Sequence, residues 1–80
     1  MLSFPYSIST RAGQGGFYQD ISYGKTFATK PKIAVTLPTD DAVCLFIQDT
    51  EITTSSVRIR ARNYYSANYT VSGTVYVIPQ

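Results

Sequence analysis

The chain has 80 residues, with 7 Lys and Arg against 5 Asp and Glu and a charged fraction of 15%, which bounds it to one small domain with a faint basic excess. Val, Ile and Thr together number 23 against three Leu, a balance that excludes a helical bundle, and a hydrophobic fraction of 44% excludes disorder. The class left is all-β: an antiparallel β-sandwich or small barrel of about six to seven short strands.

Leu2, Phe4, Tyr6 and Ile8 share one parity while Ser3, Ser7 and Ser9 share the other, so the chain opens on a strand. Pro5 cannot donate to a ladder and confines that strand to a sheet edge. Residues 11–16, Arg-Ala-Gly-Gln-Gly-Gly, hold three of the five glycines and read as a loop. From Phe17 to Tyr23 the alternation returns, with Phe17, Gln19, Ile21 and Tyr23 on one face; Gly24 and Lys25 turn the chain, and Phe27 stands alone among polar neighbours. After Pro31, the run Lys32 to Leu37 places Ile33, Val35 and Leu37 on one side. Pro38, Thr39, Asp40 and Asp41 form a turn, because Pro fixes φ and Asp bonds nearby backbone. Ala42 to Gln48 is a nearly continuous apolar run, as expected of a strand buried on both faces or lying at a subunit contact. Asp49, Thr50 and Glu51 break it, and Ile52 and Thr53 begin a short approach to the most regular strand, where Val57, Ile59 and Ala61 alternate with Arg58, Arg60 and Arg62. Asn63 to Asn68 reads as a polar, Tyr-rich loop, and Tyr69 to Ile78 as the closing strand, in which Gly73 marks a bulge or a close approach.

A chain this small buries about 60% of its unfolded surface, a deficit met by disulfides, metal or oligomerisation. Cys44 is the only cysteine and there is no His, so no internal disulfide is available and no zinc or calcium spacing exists. No metal or cofactor is expected, and several copies are expected to pack together. No run approaches the roughly 18 apolar residues of a membrane span, so no membrane insertion is expected. The first eight residues lack the basic start and apolar run of a signal peptide. The expectation is a product made in the cytoplasm, or a piece of a longer chain, reaching the outside by lysis as a virion part does.

Catalysis finds little support. Without His the commonest general base is missing. Cys44, within Val-Cys-Leu-Phe, is expected to be a buried small hydrophobe. Asp40 with Asp41, and Asp49 with Glu51, read as solvated turn formers, and Gly13 to Gly16 has no strand–loop–helix setting for a phosphate loop. The chain is not expected to be an enzyme. Arg58, Arg60 and Arg62, two apart, share one strand face. They suit an anion-binding face for nucleic acid or acidic polysaccharide, or a solvated face with Asp or Glu partners on a neighbouring strand or subunit. A net charge of +2 is small for a nucleic-acid binder, which favours the second reading and no nucleic acid. The loop Asn63-Tyr64-Tyr65-Ser66-Ala67-Asn68-Tyr69 combines flat aromatic faces with hydroxyls and amides, which suits a sugar; its tyrosines equally suit packing on a subunit or over the sandwich end.

Ile21, Tyr23, Phe27, Pro31 and Ile33, then Ile52 and Thr53 leading into Val57 and Ile59, then Val75 to Ile78 together resemble the H-type lectin domain and related phage tail-fibre tips. The resemblance covers roughly residues 17–80, with residues 1–16 as an N-terminal edge strand and Gly-rich loop before it. It implies a six-stranded sandwich, a homotrimer, and sugar binding in cups near the subunit boundaries. Gly13, Gln14, Gly15 and Gly16 match the family's polar loop, and Tyr64 and Tyr65 match its aromatic–His pair. The chain departs from the pattern in lacking the acid of the first loop, in carrying Tyr for His, and in carrying Tyr76 for a Trp. The implied function is a receptor-binding module of a bacteriophage tail fibre that recognises a cell-surface glycan. Its ligand-binding set is Gln14, Asn63, Tyr64, Tyr65 and Asn68, with the tyrosines stacking on the sugar. A trimerisation module, with Val43 to Ile47 and Phe27 at the subunit contact, is the alternative.

Overall fold

The computed structural model describes residues 1–37 and 42–80; the turn expected at Pro38 to Asp41 lies outside them. Among the described residues, six strands and one turn of 3₁₀ helix follow in order: β1 (Leu2–Thr10), β2 (Phe17–Ser22), β3 (Lys32–Val35), β4 (Val43–Phe46), η1 (Asp49–Glu51), β5 (Ser56–Asn63) and β6 (Tyr69–Ile78). They form two three-stranded antiparallel sheets, ordered β1-β6-β3 and β2-β5-β4, which makes the molecule an all-β sandwich. Ile52 reaches Val57 through an isolated bridge, so the short approach at residues 52 and 53 tightens into a hairpin rather than adding a strand. There Thr53 Oγ1 accepts from the amides of Ser55 at 3.2 Å and Ser56 at 2.9 Å, a side chain standing in for backbone as Thr does in turns.

β6 is the middle of the first sheet. It pairs with β1 from Leu2↔Val77 to Thr10↔Tyr69 and with β3 from Lys32↔Ile78 to Val35↔Val75. Pro5 therefore lies in an edge strand, where its missing donor costs no ladder bond. The strand is integral to the fold all the same, because Tyr6, Ile8 and Thr10 are buried against β6 and the facing sheet. β5 is the middle of the second sheet, paired with β2 from Phe17↔Ala61 to Ser22↔Ser56 and with β4 from Val43↔Asn63 to Phe46↔Arg60. Val57, Ile59 and Ala61 meet Val71, Val75 and Val77 across the gap. These β-branched and small residues interdigitate between pleated faces.

Aromatic side chains close the core and satisfy backbone as they do so. Tyr6 Oη donates to the carbonyl of Thr36 at 2.6 Å, and Tyr23 Oη donates to those of Ser56 at 2.8 Å and Thr53 at 3.1 Å. Phe27 packs half-buried on the Tyr23 ring at 5.5 Å. Among the described residues no buried side-chain polar atom lacks a partner. Gly73 is a close approach and not a bulge: it keeps register with Tyr6, and a Cβ there would meet Thr36 Oγ1 and come within 2.9 Å of Tyr6 Oη. The two sheets are also tied along one side, where the free edge amide of Ser7 donates to Gln19 Oε1 at 2.8 Å.

β4 corrects two expectations. It is an edge strand with one covered face: Val43 is buried and Leu45 half-buried, while Cys44 and Phe46 point outward. Its apolar run is thus not buried on both faces in the single chain. Cys44 is exposed rather than buried, because its register sets it opposite Arg62 on the outer face of β5.

Candidate functional site

Two loops meet at one end of the sandwich. Residues 11–16 join β1 to β2, and residues 64–68 join β5 to β6. The antiparallel pairing of β1 with β6 and of β2 with β5 brings the mouths of both connections to the same place. The first loop is shaped by glycine, with Gly13 at φ 67° and Gly16 at φ 88°, values that residues with a Cβ rarely adopt. Backbone holds the loops together. The Asn63 amide donates to the Gln14 carbonyl at 2.9 Å, and the Ala12 amide donates to Asn68 Oδ1 at 3.0 Å.

Gln14, Asn63, Tyr64, Tyr65 and Asn68 are accordingly neighbours, but their side chains are placed for different work. Asn63 continues the inward parity of Val57, Ile59 and Ala61 and is fully buried. Its Nδ2 donates to Thr10 Oγ1 and to the Ala67 carbonyl, both at 3.0 Å, and its Oδ1 accepts from the Tyr65 amide at 2.6 Å. That amide is committed to holding the loop, so it has no hydrogen bond to offer a ligand. Tyr65 is half-buried against the core, with its ring 5.7 Å from that of Tyr69. Tyr64 keeps an open face, 61% exposed, with the Arg62 guanidinium 5.3 Å from its ring centre. Gln14 and Asn68 are exposed.

Beside these loops lies a cleft of about 570 Å³ lined by Ser9, Thr10, Arg11, Phe17, Asn68, Tyr69 and Thr70. That volume is within the usual range for a small-molecule site. Ser9 Oγ and Thr70 Oγ1 sit 3.2 Å apart on its wall, and Thr10 Oγ1 is turned away, donating to the Tyr69 carbonyl at 2.7 Å. Hydroxyls, one carboxamide, one guanidinium and two aromatic rings are thus gathered in a single concavity. Of the residues expected from sequence, Asn68 alone lines it. Tyr69 belongs to the loop singled out for a sugar but not to the ligand-binding set, and Ser9, Thr10, Arg11, Phe17 and Thr70 were not expected. Ser9 and Thr70 look like ordinary outward strand residues, and only the register Ser9↔Thr70 puts them together.

The arginine ladder occupies the outer face of β5, on the second sheet. Arg58 meets Asp20 of β2 through two bonds, Nε to Oδ1 at 2.8 Å and Nη2 to Oδ2 at 3.0 Å. Arg60 meets Glu51 through two bonds of 2.6 Å. Arg58 also lies over the Tyr18 ring at 4.0 Å. These guanidinium hydrogen bonds hold the Asp20 and Glu51 carboxyls below the usual carboxylate range. Glu51 is therefore the arginine's partner in place of the idle turn former expected, with a side chain only 16% exposed. Arg62 has no carboxylate among the described residues. Its side chain lies against the Gly15 backbone, where a Cβ would come within 2.8 Å of Nη1. No group of three or more His, Cys, Asp or Glu is gathered for a metal among the described residues. Comparison with protein-family models, with curated proteins and with solved structures finds no match to this chain.

Proposed function

We propose that the chain is a carbohydrate-binding module whose site is the cleft between the end of β1 and the start of β6. The observation that carries this is the lining itself. A sugar ring presents apolar C–H faces and a rim of hydroxyls, and the cleft presents Phe17 and Tyr69 beside Ser9, Thr70 and Asn68. Tyr64, in the adjoining loop, offers the exposed ring, and Gln14 a second carboxamide. In this reading Asn63 and Tyr65 build the loop and the others contact the ligand.

The proposed setting is a trimeric tip of a bacteriophage tail fibre, on the virion or released by lysis, where three weak sites give useful avidity on a glycan-bearing cell surface. A glycan array with the wild type, Asn68→Ala and Thr70→Val tests the reading. It predicts a glycan ligand and about a tenfold loss in each variant. No ligand for the wild type, or unchanged binding in both variants, contradicts it.

One observation favours the assembly reading. Leu37, just after β3, is 71% exposed and Phe46, on the outer face of β4, is 44% exposed. A subunit contact would cover them whether or not a sugar binds.

A further inference from the structure

Resting on the glycan reading, we infer that the ligand is an acidic saccharide, bearing carboxylate or sulfate, whose anionic groups are received by Arg11 in the cleft and by Arg62, packed on Gly15 of the loop that Arg11 begins. The four arginines divide into two kinds. Arg58 and Arg60 each hold a carboxylate by two bonds, the fork-to-fork match that guanidinium makes with planar or tetrahedral oxyanions. Arg11 and Arg62 have no ion pair among the described residues, and the described acids are spent elsewhere: Asp20 on Arg58, Glu51 on Arg60, Asp49 on Lys30 at 3.1 Å. Both of these arginines border the same loop, Arg11 at its start and Arg62 packed on Gly15.

Arg62 is also positioned in advance. The Gly15 backbone lies on one part of its side chain and the Tyr64 ring is 5.3 Å from its guanidinium, so less conformational freedom is lost when an anion arrives. A neutral sugar entering the cleft would strip water from Arg11 and return no charge, which is costly. A ligand carrying its own acid completes the pattern already made at Arg58 and Arg60. One cation in the concavity and a second on the far side of the same loop suit a short acidic saccharide better than a nucleic-acid backbone, which asks for a longer basic track.

The test compares one glycan scaffold in neutral, carboxylated and sulfated forms, with a DNA duplex alongside, for the wild type, Arg11→Gln, Arg62→Gln and Lys32→Gln. Lys32 removes the same charge from the far end of the first sheet, where it pairs with Ile78. Acidic forms are expected to bind at least about tenfold tighter than neutral ones, with affinity falling between about 50 and 200 mM salt. Arg11→Gln and Arg62→Gln should each reduce that preference and Lys32→Gln should keep it. The carboxylated and sulfated arms show which acid is read. Neutral glycans bound as tightly, with Arg11→Gln unchanged, overturn the acidic ligand and leave the glycan reading standing. Binding to no glycan overturns both, and preference for the duplex replaces the saccharide with nucleic acid.

Discussion

Asn63 shows how one side chain decides whether a loop exists. It is fully buried and its amide makes three hydrogen bonds, so Asn63→Ala strands a hydroxyl, a carbonyl and an amide together. The expected loss is about 2–4 kcal/mol in chemical denaturation. The strand parity that runs from Val57 through Ala61 reaches Asn63 with an inward side chain, a signal present in the sequence but masked by the polarity of the residue. The same rule places Cys44 outward between Val43 and Leu45, although its apolar neighbours suggest burial. At Gly73, a methyl group would collide with Thr36 and Tyr6, so Gly73→Ala should cost about 1–3 kcal/mol. Asp20 and Glu51 carry the acid sensitivity. Their carboxyls titrate lower in the folded chain than in the unfolded one, so their stabilisation is complete above the ordinary range near pH 4 and is lost as pH falls through the folded values. Thermal melts from about pH 5 to about pH 2 should fall more steeply for the wild type than for the Asp20→Asn, Glu51→Gln double variant. Equal slopes would show that the pairs add nothing.

The strands were legible because each alternates on its own: Phe17 to Tyr23, Val57 to Arg62 and Tyr69 to Ile78 each display one apolar face. Sheet order was not, because no strand's own pattern names its neighbours. β4 is more continuously apolar than β5, yet β5 is central and β4 lies at the edge; the arginines of β5 stand on the outer face, where Asp20 of β2 and Glu51 of η1 reach them. The separation of residues 1–16 from 17–80 likewise follows the glycine loop, whereas packing crosses it. β1 pairs along its whole length with β6 and buries Tyr6 and Ile8. A chain beginning at residue 17 should therefore lose cooperative unfolding, read by circular dichroism on heating. A cooperative melt close to that of the full chain would show that β1 is dispensable.

At the scale of the molecule, the sandwich measures 43 × 20 × 17 Å, long and thin for its content. The sheets are tied together where Ser7 meets Gln19, while β3 and β4 end their sheets as edges. A core this thin, with Leu37 and Phe46 left outside, is the physical ground for the proposed trimer, and light scattering at micromolar concentration should give three times the 8.9 kDa of one chain; a stable monomer would remove it. The candidate site was half legible. The Gly-rich and Tyr-rich loops announce themselves by composition, but the cleft joins residues up to 61 positions apart, and its wall of Ser9, Thr70 and Phe17 exists only once the strands have paired. Glycan binding in this cleft is the premise of both proposals. It is tested most directly by titrating the nitrogen-labelled chain with the tightest-binding glycan of the array and following its backbone amides by NMR. Shifts concentrated at Arg11, Phe17, Asn68 and Thr70, with Lys32 and Ile78 unmoved, are the predicted result; shifts absent from the cleft, or confined to β3 and β4, would contradict it.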